Sequence, residues 1–182
     1  MKAIGSSGYE LGRDGDSTFG NARTMLHFRK AGQTYFMFTD LKPRGSGNNY
    51  FSILPKPGEP NYDTWNNMPY EARNGGTIWT PGSYDKETNL VFFGPAPTYD
   101  TRPLRDRVPG ANNDALYTNA TIALNPDTGK LVWHYQHLEN DQMDLDWAYE
   151  RQIMTIGTGK AARRVLVTAG KAAMHDALDP AT

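Results

Sequence analysis

The chain has 182 residues, enough for one domain with a sizeable core, but only 38% of them are apolar, which is low for a chain that closes a core by itself. Nineteen Lys and Arg stand against twenty Asp and Glu, a net charge of −1 with the basic residues scattered, so nothing favours a nucleic acid or an anionic membrane surface as partner. The absence of cysteine excludes disulfides and thiolate metal sites, and neither an apolar signal segment in residues 1–10 nor an apolar run of transmembrane length is visible.

Eighteen Gly, 12 Pro, 10 Tyr and 4 Trp favour short strands joined by many turns, an all-β chain. In chain order, TYFMFT at 34–39 and YFSIL at 50–54 read as hairpin strands around the turn-rich LKPRGSGNN. Residues 55–74 carry Pro, Gly and Asn without a period and read as a long excursion. Strands are expected at 77–79, 82–84 and 90–93, with a turn at 85–89 between the last two, followed by a second Pro-rich loop at 95–113. Residues 120–124 and 130–135 form the clearest hairpin. In its turn, Asn125-Pro126-Asp127-Thr128-Gly129, proline fixes φ and glycine supplies a positive φ. No segment shows a helical period over more than about two turns.

After this hairpin, Glu139, Asp141, Asp144 and Asp146 fall within eight positions, interrupted by Met143, Leu145 and Trp147. Carboxylates set beside large apolar groups are costly to desolvate unless they bind a metal or exchange a proton, so the segment reads as the lip of a site. A solvated acidic loop is the alternative. His134 and His137 at i, i+3 point to opposite faces of a strand, which disfavours a zinc site.

A weak repeat is present. ALNPDTGKLVW at 123–133 is echoed by ALDPAT at 177–182, and a degraded copy is discernible at 38–51. Units of about 40–55 residues, each holding about four strands, are the mark of a radial propeller whose blades bury their faces against neighbours.

These motifs together resemble the quinoprotein alcohol dehydrogenases, the propellers that use pyrroloquinoline quinone (PQQ). The resemblance implies a partial propeller domain over residues 1–182, about three four-stranded antiparallel blades, with Trp133 packed on the neighbouring blade. In GSSGYELG at 5–12, Ser7 would touch the quinone and Glu10 would ligate a metal. Standing alone, such a stretch is usually just a turn. In GGTIW at 75–79, Thr77 would bond a quinone carboxylate and Trp79 would lie beneath the ring; the alternative for Trp79 is a buried core residue. In DQMDLDW at 141–147, Asp144 matches the catalytic base. Asp146 matches the extra carboxylate of lanthanide-dependent members, facing the same way two residues along an extended segment. Lys171 matches the cation that contacts the quinone oxygens. Residues 14–37 resemble an insertion. Pro97 stands where the family commonly has an Asn metal ligand, which leaves Thr98 or Asp100 as substitutes, one ligand fewer, or a branch that has lost metal binding.

The implied activity is oxidation of an alcohol to an aldehyde with PQQ and Ca²⁺ or a lanthanide ion as cofactors, electrons leaving to a c-type cytochrome in the periplasm. A non-catalytic propeller scaffold, or a piece inactive by itself, are the competing readings.

Overall fold

A computed structural model describes residues 53–76, 78–98 and 106–182 in full, together with the backbone of three strands nearer the N-terminus. Those strands are β1 (Lys2–Ala3), β2 (Thr24–Lys30) and β3 (Gln33–Thr39). β2 and β3 pair antiparallel, largely over the stretch that resembles an insertion, and β1 joins β3 in parallel.

The second sheet is antiparallel in simple chain order: β4 (Ser83–Asp85), β5 (Leu90–Phe93), β6 (Ala120–Leu124) and β7 (Leu131–Gln136). The third contains β8 (Gln152–Ile156), β9 (Arg163–Ala169) and β10 (His175–Leu178), also antiparallel and in order. Among the described residues the only helical pieces are 3₁₀ turns at Tyr62–Thr64, Tyr70–Ala72 and Gly159–Ala161.

β5 and β6 are apolar at nearly every position because both of their faces are covered. Side chains alternate along a strand, so Val91, Phe93, Ile122 and Leu124 point one way and Leu90, Phe92 and Ala123 the other. The first set packs under Ile53, Ile78, Leu116 and Tyr117, contributed by loops. The second set meets Leu166 of β9, with Ile153 and Leu178 alongside, so two sheets share one face-to-face core. Trp133 completes that interface. Its ring centroid lies 5.6 Å from that of Phe92, and its indole N–H donates to Pro180 O at 3.3 Å across the sheet boundary. β4 and β8 lie side by side, and Arg164 of β9 pairs with Asp85 at the end of β4. The expected packing of Trp133 on a neighbouring blade is therefore what the structure has.

The turn after β6 forms as its residues require. Asn125 Oδ1 accepts from Asp127 N and Thr128 N, and Gly129 adopts φ 69°. The echo at 177–182 repeats the device, with Asp179 Oδ1 accepting from Ala181 N at 2.8 Å. The two copies occupy equivalent places, each following the third strand of its sheet. The proposed third copy at 38–51 lies largely outside the described residues.

The structure departs from the sequence reading or adds to it in three places. Residues 78–79 are not strand, because Gly75 and Gly76 just before them take φ 112° and 65°, which breaks an extended run. The excursion at 55–74 is a loop as expected, and it is also packed. Leu54, Trp65, Met68 and Ala115 form a core of their own, Trp65 Nε1 donates to Leu116 O at 2.6 Å, and the buried Arg73 lies 4.0 Å over the Tyr62 ring. Strands β8 and β9 were not expected, since QIMTI and RRVLVTA bury only a few side chains and offer little apolar contrast.

Candidate functional site

β5, β7 and β9 end, and β4, β6, β8 and β10 begin, at one common end of the two sheets. The loops that leave there, at 94–98, 137–151 and 170–174, carry the candidate residues. Asn119, fully buried at φ 45°, ties the first two of these loops together. Its N–H donates to Ala96 O, its O accepts from His137 N, its Nδ2 donates to Asp141 Oδ2 at 2.8 Å, and its Oδ1 accepts from Trp147 N at 3.1 Å.

Asp141 is consequently structural. Its Oδ1 accepts from Met143 N at 2.8 Å and its Oδ2 from Leu145 N at 2.7 Å, so the carboxylate forms the inside of the turn rather than a site lip. Glu139 is exposed. The four acidic residues thus divide, and only Asp144 and Asp146 converge. Their convergence does not come from an extended strand, because Asp144 sits at φ 58°. It comes from Lys171, whose Nζ lies 2.5 Å from Asp146 Oδ2 and 3.0 Å from Asp144 Oδ2. The backbone strengthens the junction, with Lys171 N donating to Asp146 O at 3.0 Å.

The two carboxylates differ in environment. The Asp144 side chain is 71% exposed and that of Asp146 only 7%. Burial pushes the Asp146 carboxyl above the usual range against the pull of Lys171, and the charges of Asp144 and Asp141 add to the rise. Hydrogen bonds to Asp146 and then Asp144 raise the Lys171 ammonium above its ordinary value. Asp146 Oδ1 is buried without a hydrogen-bond partner.

Trp79 is 48% exposed while its neighbour Ile78 is buried in the core, so the indole is not a core residue. Its loop is pinned on both sides, through Gly76 N to Pro97 O at 3.1 Å and through Thr80 Oγ1 to Ala148 O at 2.6 Å, the second bond fixing it two residues from Asp146. Thr98 is buried and its hydroxyl donates to Asp141 O at 3.3 Å, a structural bond. Ser7, Glu10, Thr77 and Asp100 lie outside the described residues.

A second set of polar residues is brought together only by the fold. Arg151 Nε donates to Thr121 Oγ1 at 3.1 Å, Thr121 Oγ1 lies 2.8 Å from His137 Nε2, and His137 Nδ1 lies 2.5 Å from Asp176 Oδ2. With Nδ1 carrying the proton toward the carboxylate, Nε2 is the acceptor for the threonine hydroxyl. Burial lowers the His137 pKa to about 4; the bond to Asp176 opposes the shift and the charge of Arg151 adds to it.

Because that folded-state value lies below the ordinary 6.5, the unfolded chain binds the proton first as pH falls, and stability drops between about pH 6.5 and 4. At pH 5 the loss should reach about 2 kcal/mol. Urea unfolding at pH 7 and pH 5 checks this. His137→Gln should flatten that part of the profile, and a profile unchanged by the substitution would assign the pH dependence to other groups.

Comparison with known proteins agrees with this architecture. The PQQ family model for the glucose/ethanol/alcohol dehydrogenase β-propeller domain matches residues 45–182. The chain is 31% identical over 184 residues to the quinohemoprotein alcohol dehydrogenase ADH-IIG of Pseudomonas putida, a match covering 98% of this chain and 23% of that protein. It is 30% identical to the dehydrogenase subunit of the alcohol dehydrogenase (quinone) of Gluconobacter oxydans, with the same shares. Among solved structures it is similar to the quinohemoprotein alcohol dehydrogenase from Comamonas testosteroni, with a TM-score of 0.62 and 28% identity over 82% of this chain and 23% of that one. A europium-containing methanol dehydrogenase matches with a TM-score of 0.59 and 25% identity, over 71% of this chain and 22% of that one. The chain thus spans under a quarter of the length of these relatives.

Proposed function

We infer the function from one premise: this chain belongs to the PQQ-dependent glucose/ethanol/alcohol dehydrogenase β-propeller family. On that premise residues 1–182 are one partial propeller domain. The full-length protein oxidises a small alcohol to the aldehyde in the periplasm and passes electrons to a c-type cytochrome. The observation that carries the reading is the junction of Lys171 with Asp144 and Asp146, set beside a loop that presents an exposed Trp79.

The residues suit the implied groups. A buried carboxylate oxygen without a donor, Asp146 Oδ1, is a cation ligand in waiting, and a half-exposed indole is a flat apolar floor for a planar ring. No cluster of three or more His, Cys, Asp or Glu is found among the described residues, and in this reading Glu10 joins Asp144 and Asp146 as the third carboxylate of the metal site. When bound, PQQ supplies two-electron acceptor chemistry and Ca²⁺ or a lanthanide supplies Lewis acidity.

The chain's own groups then divide the work. Asp144, exposed on its turn, takes the hydroxyl proton of the alcohol at a carboxylate oxygen. Lys171 offers its ammonium to negative charge developing on the neighbouring ring oxygens. Trp79 holds the ring face, with Thr77 and Ser7 as hydrogen-bond donors at its edge.

Asp146 sets the cation. Replacing a neutral donor, the Asn for which Pro97 stands, by an anionic one favours a trivalent ion, since ion–carboxylate attraction grows with charge. Calorimetric titration of the full-length protein with La³⁺ and Ca²⁺ should give tighter lanthanide binding, and Asp146→Ala should bring the two affinities within about threefold of each other. Equal affinities before mutation would remove the claim. The functional reading itself is tested by titrating PQQ while following tryptophan fluorescence. Quenching should be saturable and should be mostly lost in Trp79→Phe; a protein that binds no PQQ is a propeller scaffold instead.

A further inference from the structure

We propose that His137 is a positioning residue for this site, holding the loop that bears Lys171 against the segment that bears Asp144 and Asp146. The proposal rests on the functional reading above for its relevance to catalysis, and on geometry for its substance.

The imidazole is flat on the Trp147 indole, with centroids 4.4 Å apart and planes 2° apart. Trp147 directly follows Asp146 and is fully buried. On the indole Gly170 comes so close that a Cβ there would lie 2.3 Å from Trp147 Cε2. Gly170 directly precedes Lys171. The indole is therefore the shared wall between the two segments whose charged groups meet, with His137 packed on it.

The imidazole is itself held on both edges. Asp176, at the start of β10, takes Nδ1, and Thr121 of β6 takes Nε2. Asp176 lies on the strand that the Lys171 loop enters, so its bond to His137 closes a ring of contacts: Lys171 to Asp146, Trp147 to His137, His137 to Asp176, and back along the loop 171–175. Ordinary packing of the two sheets does not need this ring, since Leu166, Phe92, Trp133 and Arg164 already join them elsewhere. Its position at the site end gives it a local task. The groups facing the imidazole from the surrounding elements are Asp176, Arg151, Thr121, Tyr135 and Trp147.

The Lys171 amide, bonded to Asp146 O, reports the junction without any cofactor. In His137→Gln, and in Asp176→Ala, whose partly exposed site tolerates truncation, native-state hydrogen exchange of the Lys171 amide should quicken about tenfold, the value of one lost charge-assisted hydrogen bond. The amides of β5 and β6 should keep their rates. Acceleration of all amides alike, or none at Lys171 in either variant, overturns the proposal, since a merely structural role moves the whole core or nothing. In the full-length protein the PQQ dissociation constant should rise about tenfold with His137→Gln, but less than about twofold when Lys171→Met is already present. An equal rise in both backgrounds also overturns it. Failure of the unmutated protein to bind PQQ would instead defeat the functional reading, and the exchange result would still decide the positioning claim.

Discussion

Asp144→Asn in the full-length enzyme loaded with PQQ and its cation should lower kcat by about 10²–10⁴-fold, the range associated with losing a general base. Asparagine preserves the size and the hydrogen-bonding carbonyl, but its amide cannot take the hydroxyl proton. The Asp144 side chain faces solvent and its only described anchor is the Lys171 ammonium, so the substitution removes no packing. Folding should be nearly unaffected, and PQQ affinity should move by less than about threefold, because Trp79 and Lys171 are untouched. Single-turnover reduction of the bound quinone, followed by absorbance with saturating alcohol, isolates the step. A variant that reduces the quinone at the original rate would move the base elsewhere, with Asp146 the nearest carboxylate. Asp146 is a poorer candidate on physical grounds: one of its oxygens is held by the Lys171 ammonium and the other is buried, whereas Asp144 is open to solvent.

How much of this was legible follows from what each residue depends on. The turn at 125–129 and the strands on either side are local. An Asn closing its own backbone, a proline and a positive-φ glycine suffice, and the packing of Trp133 follows from the blade repeat. Asp144 and Asp146 stand out because carboxylates beside Met, Leu and Trp are costly to desolvate, whereas Lys171 is legible only through the family resemblance. Asp141 carried the same signal and was misread. Whether a carboxylate faces out or closes a turn is decided by Asn119, 22 residues away, and the sequence does not announce that partnership. His137 was equally obscure, since its partners Thr121 and Asp176 come from strands on two different sheets. The strand assignment at 78–79 failed for a local reason that the sequence did hold: two successive glycines mark a break as readily as a close approach to a ligand.

Arg151 carries the largest expected effect on stability. Its side chain is fully buried, yet among the described residues no carboxylate pairs with it. It donates instead to three neutral oxygens, Tyr149 O, Ala120 O and Thr121 Oγ1, and burial lowers its pKa to about 9 despite the raising influence of Glu150. The guanidinium thereby closes the entrance of β8 onto the start of β6, while Arg151 O accepts from Ser83 Oγ at the start of β4. Truncation to alanine opens a cavity and leaves these acceptors buried without donors. The two penalties together should cost about 3–5 kcal/mol, enough to unfold a marginal domain. Arg151→Met fills the space and spares the cavity term, so its loss should be smaller by about 1–2 kcal/mol. Gly94→Ala tests the same locus from the other side, because a Cβ there would sit 1.6 Å from Arg151 Nη1 and must displace a side chain with nowhere to go. Urea unfolding should rank the three as Arg151→Ala and Gly94→Ala well below Arg151→Met. If Arg151→Met proves as stable as the original chain, the hydrogen bonds contribute nothing beyond filling space, and the guanidinium is a spacer rather than the tie between the sheets.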